Sequence, residues 1–187
     1  MYKKVMRRQK GFTLVELAIV LVIIGLILGA ILKGQGMIKN AKIKRVKSDI
    51  DSLVAAVYGY QDRYNYLPGD DPVDRWGIGR RGNGNGIWDI SREYALAWRH
   101  LMYADFISGD PTQTSETVLA KRNPFGGAYY FRYNGTLGKN YVLVDNIPSD
   151  AAASLDEKYD DGTWDTGDIR ANADYTGGLR DMYWYVF

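Results

Sequence analysis

Gly11-Phe12-Thr13-Leu14-Val15-Glu16-Leu17-Ala18-Ile19-Val20-Leu21-Val22-Ile23-Ile24-Gly25-Leu26-Ile27-Leu28-Gly29-Ala30-Ile31-Leu32 is the stretch on which the fold turns. From Phe12 to Leu32 it holds a single charged residue, Glu16. About 20 apolar residues suffice to cross the hydrocarbon core of a bilayer as a helix. Lys3, Lys4, Arg7, Arg8 and Lys10 precede the run, and no basic residue follows until Lys33. That asymmetry keeps the N-terminus in the cytoplasm and sends the remainder of the chain outward.

Two details set this segment apart from an ordinary anchor. The run exceeds a secretory apolar region of about 7–15 residues and has no Ala-x-Ala-like site after it. A small residue that suits a protease, Gly11, stands before the run instead. Glu16 places a carboxylate inside the apolar segment, where an ionisable group is costly and calls for a partner. Cleavage after Gly11 would give Phe12 a free cationic amine, able to neutralise such a carboxylate on an adjacent copy.

Lys10-Gly11-Phe12-Thr13-Leu14-Val15-Glu16, followed by an apolar helix, resembles the class III signal of type IV pilins and type II secretion pseudopilins. The resemblance is close over about the first 40 residues. It implies that a membrane-embedded prepilin peptidase cuts after Gly11 and methylates Phe12. It also implies that Glu16 pairs with the Phe12 amine of a neighbouring subunit, identical or homologous, on an inner-membrane assembly platform. The alternative is a plain signal anchor whose Glu16 lies near the interface. Many members of the family have a proline where this chain has Lys33. Gly25, Gly29, Gly34 and Gly36 surround that position, and each glycine weakens a helix by roughly 1 kcal/mol relative to alanine.

These features divide the 187 residues into a leader (1–11), a membrane and assembly helix (12–36) and a periplasmic globular domain (37–187). The domain is large enough for one core. Net charge is +2, but the leader holds five of the 24 basic residues against 22 acidic ones, so a processed chain is net acidic. Nothing in that balance points to nucleic acid. There is no cysteine, so an exported domain must be stabilised without disulfides. Fifteen tyrosines and five tryptophans point to aromatic packing and a partly exposed aromatic surface.

Val46, Ile50, Leu53, Val57, Tyr60 and Tyr64 recur at alternating spacings of four and three, one face of a helix over 37–66. This helix continues the membrane segment and stops at Leu67-Pro68-Gly69. Residues 68–92 read as a long glycine-rich loop that something must hold. A helix is expected over 91–107, capped by Ser91 and ended by Gly109-Asp110-Pro111. Residues 117–147 read as strands, with 128–133 and 139–144 joined across Asn134-Gly135 and Gly138. A short helix over 149–158, an acidic turn and a last strand over 182–187 complete the chain. This order resembles the pilin α+β fold, a long N-terminal helix packed on a small antiparallel sheet.

Two acidic loops offer the oxygens that calcium requires. One contains Asp70, Asp71, Asp74, Asn83, Asn85 and Asp89. Its Asn83-x-Asn85-Gly86-x-x-Asp89 spacing is similar to part of an EF-hand loop, but Arg81 and Arg92 occupy the places of two acidic ligands. The other contains Asp156, Asp160, Asp161, Asp165 and Asp168. The resemblance favours this second loop, because secretion-type pseudopilins hold calcium near their C-terminal loop. The simpler reading of both is that the carboxylates cap turns and face water.

No catalytic constellation is present. His100, the one histidine, has no nucleophile motif beside it and reads as a helix-face residue. The glycine run 82–86 lacks the lysine of a phosphate loop. Lys42, Lys44, Arg45 and Lys47 read as a solvated helix face. The expectation is a non-enzymatic filament subunit of a type IV pilus or secretion pseudopilus. It would be anchored once in a bacterial inner membrane before assembly. The rival is a singly anchored periplasmic binding module that keeps residues 1–11.

Overall fold

A computed structural model describes residues 11–89 and 91–186. The leader through Lys10 lies outside the described residues. The chain divides into two compact units at the Asn40–Ala41 junction. Helix α1 (Leu14–Tyr64) contributes to both.

In the first unit the apolar side chains are exposed, from Phe12 and Leu14 through Leu32. An 18-residue window of α1 has a mean hydropathy of 3.0 with none of it buried. Among the described residues this is one helix long and apolar enough to cross a membrane. Helix and motif together fit a single-pass, membrane-anchored protein.

In the second unit α1 buries Ile43, Val46, Asp49, Ile50, Leu53, Ala56, Val57 and Tyr60. This is the face read from the sequence, with Ile43, Asp49 and Ala56 added and Tyr64 only half-buried. Each fully buried aliphatic side chain on it contributes about 1.5–3 kcal/mol. The helix ends before the expected Leu67-Pro68-Gly69 stop. Asn65 takes a left-handed conformation (φ 60°) and its N–H donates to the Gln61 carbonyl at 2.8 Å. Asparagine tolerates that conformation, so it closes the helix as glycine commonly does.

Helix α2 (Ser91–Tyr103) also ends earlier than expected. Asp105 is left-handed (φ 61°), its N–H meets the Met102 carbonyl at 3.1 Å, and the Phe106 N–H meets that of Leu101 at 2.9 Å. That pair of bonds is a Schellman motif. A four-residue helix, α3 (Glu116–Leu119), stands where the sequence reading began its strands. Asn123 explains the delay. Its side-chain oxygen accepts the N–H groups of Phe125 and Gly127, folding 123–127 into a turn ahead of the sheet.

The sheet comprises β1 (Tyr129–Asn134), β2 (Lys139–Pro148), β3 (Ile169–Ala171) and β4 (Leu179–Tyr185). Helix α4 (Ser149–Tyr159) lies between β2 and β3 in sequence. Strand order is β1-β2-β4-β3, and each neighbouring pair is antiparallel. β3 was not read from the sequence because three residues are too few to display an alternating pattern. Register aligns two buried rows across all four strands. One row is Phe131, Val142, Trp184 and Ile169; the other is Tyr129, Val144, Met182 and Ala171. The β2–β4 register shifts between Val144 and Ile147, where Asn146 has φ 56°, and the shift leaves Ile147 buried. Trp88 and Trp98 pack on Phe131 with centroids 4.8 and 4.9 Å apart. The architecture is α+β and pilin-like, as expected.

Candidate functional site

Residues 11–13 precede the first turn of α1 and are not helical. The Gly11–Phe12 peptide is therefore free of helical hydrogen bonds, and Phe12 is 82% exposed. A protease needs an accessible, non-helical stretch of substrate backbone, and these residues are exposed and outside the helix. Thr13 caps the helix. Its hydroxyl accepts the Glu16 N–H at 3.2 Å, and the Glu16 carboxylate accepts the Thr13 N–H at 2.7 Å. The Thr13 hydroxyl also donates to that carboxylate at 2.9 Å. This reciprocal arrangement is a capping box, set by a threonine three residues before a glutamate. Glu16 is thus satisfied within its own chain, a role the sequence reading missed although the spacing displays it.

The acidic loop after α4 brings together three of the five carboxylates singled out there. Asp156, Asp160 and Asp161 each place one oxygen within 4.8 Å of the others. Asp156 is fully buried; its carboxylate accepts the Tyr175 hydroxyl at 2.6 Å and the Gly162 N–H at 3.3 Å. Asp160 accepts the Ile169 N–H at 2.7 Å. Gly167 lies against it, where a Cβ would come within 2.0 Å of the Asp160 carboxylate. Asp161 accepts the Thr163 N–H at 2.8 Å and the Thr166 hydroxyl at 2.6 Å. Burial pushes the Asp156 carboxyl above its ordinary value, and the negative Asp161 and Asp160 add to the shift, against the Tyr175 and Gly162 hydrogen bonds. Hydrogen bonds from Thr166 and Thr163 hold Asp161 below its own. Asp165 is exposed and outside this group, and Asp168 pairs with Lys139 at 2.9 Å.

The glycine-rich loop is organised differently. Asp70 is buried, and its carboxylate accepts N–H groups from Gly84 (2.6 Å), Asn85 (3.2 Å) and Gly86 (2.7 Å). Asp71 is buried as well and accepts the Tyr60 hydroxyl at 2.9 Å, the Val73 N–H at 2.9 Å and Arg75 Nε at 2.5 Å. These carboxylates hold the loop together rather than face water. Asn83 and Asn85 turn their amide nitrogens to Asp89, at 3.3 and 3.0 Å. Their oxygens accept the N–H groups of Asn85 and Ile87.

His100 lies on α2, on its buried face. Its Nδ1 accepts the Gly69 N–H at 3.0 Å and lies 3.3 Å from the Tyr60 hydroxyl, while Nε2 has no hydrogen-bond partner among the described residues. Burial lowers its pKa to about 4. Tyr60, Trp76 and His100 pack ring against ring, which makes this a structural hub beneath the loop.

Residues 6–32 match the family model described as the prokaryotic N-terminal methylation motif. The chain carries the signal of type IV pilins and pseudopilins. Gly11, Phe12 and Glu16 all fall within this methylation motif, as do Thr13 and the apolar part of α1 through Leu32. The motif supports a prepilin-type processed subunit. No curated protein and no solved structure matches the chain.

Proposed function

We propose that this chain is a structural prepilin or pseudopilin. Prepilin peptidase cuts it after Gly11 and methylates Phe12, and the processed subunits assemble on an inner-membrane platform into a type IV pilus or type II secretion pseudopilus. The methylation motif, with its non-helical Gly11–Phe12 peptide directly before a capped apolar helix, carries this reading. Before assembly the subunit spans the inner membrane once, with the Ala41–Phe187 unit in the periplasm. In the filament the exposed side chains between Phe12 and Leu32 pack against neighbouring copies. Glu16 exchanges its Thr13 hydrogen bonds for the Phe12 amine of another subunit and so sets register, because a buried unpaired carboxylate is strongly unfavourable. The chain acts without catalysis.

Asp156, Asp160 and Asp161 would hold a calcium ion. Three carboxylates within 4.8 Å repel one another, and hard oxygen donors fit this cation. A bound calcium ion would supply the positive charge that lets these carboxylates join the end of α4 to the loop before β3.

The deciding experiment is intact mass and N-terminal peptide analysis of the protein from its native membrane. A chain beginning at N-methylated Phe12 is expected. A chain still beginning at Met1, in cells with active prepilin peptidase, overturns the reading in favour of a singly anchored binding module.

A further inference from the structure

The first turn of α2 holds a cation where helices favour acids. Arg92 follows Ser91 directly, beside backbone N–H groups that already carry partial positive charge. Glu93, the acid in that turn, is buried and accepts the Asn83 N–H at 3.2 Å. Two more arginines gather there. Arg80, Arg81 and Arg92 line one open cleft of about 540 Å³ together with Gly79 and Gly82. All three are exposed, and among the described residues none of their side chains forms a hydrogen bond or ion pair.

The cleft is built on fixed backbone. On one side of the Arg80–Arg81 pair, the Gly79 N–H donates to Asp74 at 2.9 Å. On the other, the Gly82 N–H donates to the Asp71 carbonyl at 3.0 Å. A side chain at Gly82 has no room, since its Cβ would come within 2.2 Å of the Asp70 backbone. Arg80 and Arg92 also border a second cleft of about 280 Å³ that contains Arg99. The carboxylate lining that cleft, Glu116, is already paired with Arg132 at 2.5 Å.

Like charges held together without counter-charge destabilise the free protein, and a bound anion relieves the repulsion. We propose that the Arg80–Arg81–Arg92 cleft binds a tetrahedral oxyanion, a phosphate or sulfate group. Guanidinium forks match such oxygens two at a time. Three forks around one cleft suit a group with three or more equivalent oxygens better than a carboxylate with two. The positive end of α2 adds to the attraction. This site is independent of leader processing and filament assembly.

The test uses the full chain in nanodiscs of neutral phosphatidylcholine, with chelator throughout so that the Asp156 cluster takes no part. Calorimetric titration with inorganic pyrophosphate is expected to show one saturable site that weakens with salt. Arg92→Gln should reduce affinity about tenfold, the scale of one lost charge-assisted hydrogen bond. Arg80→Gln/Arg81→Gln/Arg92→Gln should abolish binding with no fall in melting temperature, because these side chains make no stabilising hydrogen bond or ion pair among the described residues. A second arm measures co-sedimentation with phosphatidylglycerol vesicles. Arginine-dependent binding to both probes identifies a lipid headgroup as a source; arginine-dependent binding to pyrophosphate alone identifies a free anion. Absence of saturable pyrophosphate binding, or binding undiminished in the triple variant, overturns the proposal.

Discussion

His100 titrates with a consequence for the whole unit. Its folded pKa is about 4, below the ordinary value of 6.5. Between those values the unfolded chain binds a proton that the folded chain refuses, so stability is full above about pH 6.5 and falls as pH drops toward 4. The shift corresponds to about 3 kcal/mol at most. Urea unfolding across this range should show that slope in the parent and a flatter profile in His100→Gln. An equal slope in the variant would place the effect elsewhere. Asp49 acts at lower pH. Burial opposes its charge, but Lys121 and Arg45, each at 2.8 Å, outweigh burial and hold the carboxyl below its usual range. Its contribution is present at neutral pH and is lost as pH falls through that depressed value. Neither role was legible in the sequence. Asp49 sits on the buried face of α1 but reads as a break in an apolar pattern, and the partners of His100 lie 31 and 40 positions away.

At the scale of elements, the 84–86 stretch of the long loop after α1 is held by the Asp70 carboxylate. Asp70→Ala would leave the Gly84, Asn85 and Gly86 N–H groups without their acceptor. The expected loss is about 3 kcal/mol or more, since bonds to a charged group contribute about 1.5–3 kcal/mol each and do not add fully. Hydrogen exchange at residues 82–86 should accelerate in the variant; unchanged exchange would remove Asp70 from this role. The need for an anchor was visible in the loop's length, but its identity was not, because Asp70 lies 14–16 residues from its donors. Helices and hairpins were easier to read. The face of α1 and the β1–β2 pairing rest on local periodicity, whereas the end of α1 at Asn65 depends on a left-handed residue that composition does not reveal.

For the molecule as a whole, the proposed calcium site at the acidic loop would link metal binding to stability. Calcium at a hundredfold its dissociation constant would stabilise the soluble unit by about 2.7 kcal/mol, or several degrees in melting temperature. Chelator should lower the melting temperature by that amount in the parent and leave Asp160→Asn/Asp161→Asn unmoved. A parent melting curve indifferent to chelator would dismiss the metal. The membrane and processing signal was legible because it rests on length, charge asymmetry and a fixed spacing of Gly11, Phe12 and Glu16. The carboxylate grouping was legible only in part, since Asp156 is buried while Asp165 and Asp168 stand apart from it.

The brevity of β3 bears on crowding. In the proposed filament, subunits would be packed at very high local density, and open sheet margins are templates on which foreign strands grow. β3 ends the sheet with three residues, Ile169 to Ala171. A passing chain finds too few backbone groups there to extend the ladder. The stub thus acts as a terminator, discouraging amyloid-like stacking on this margin.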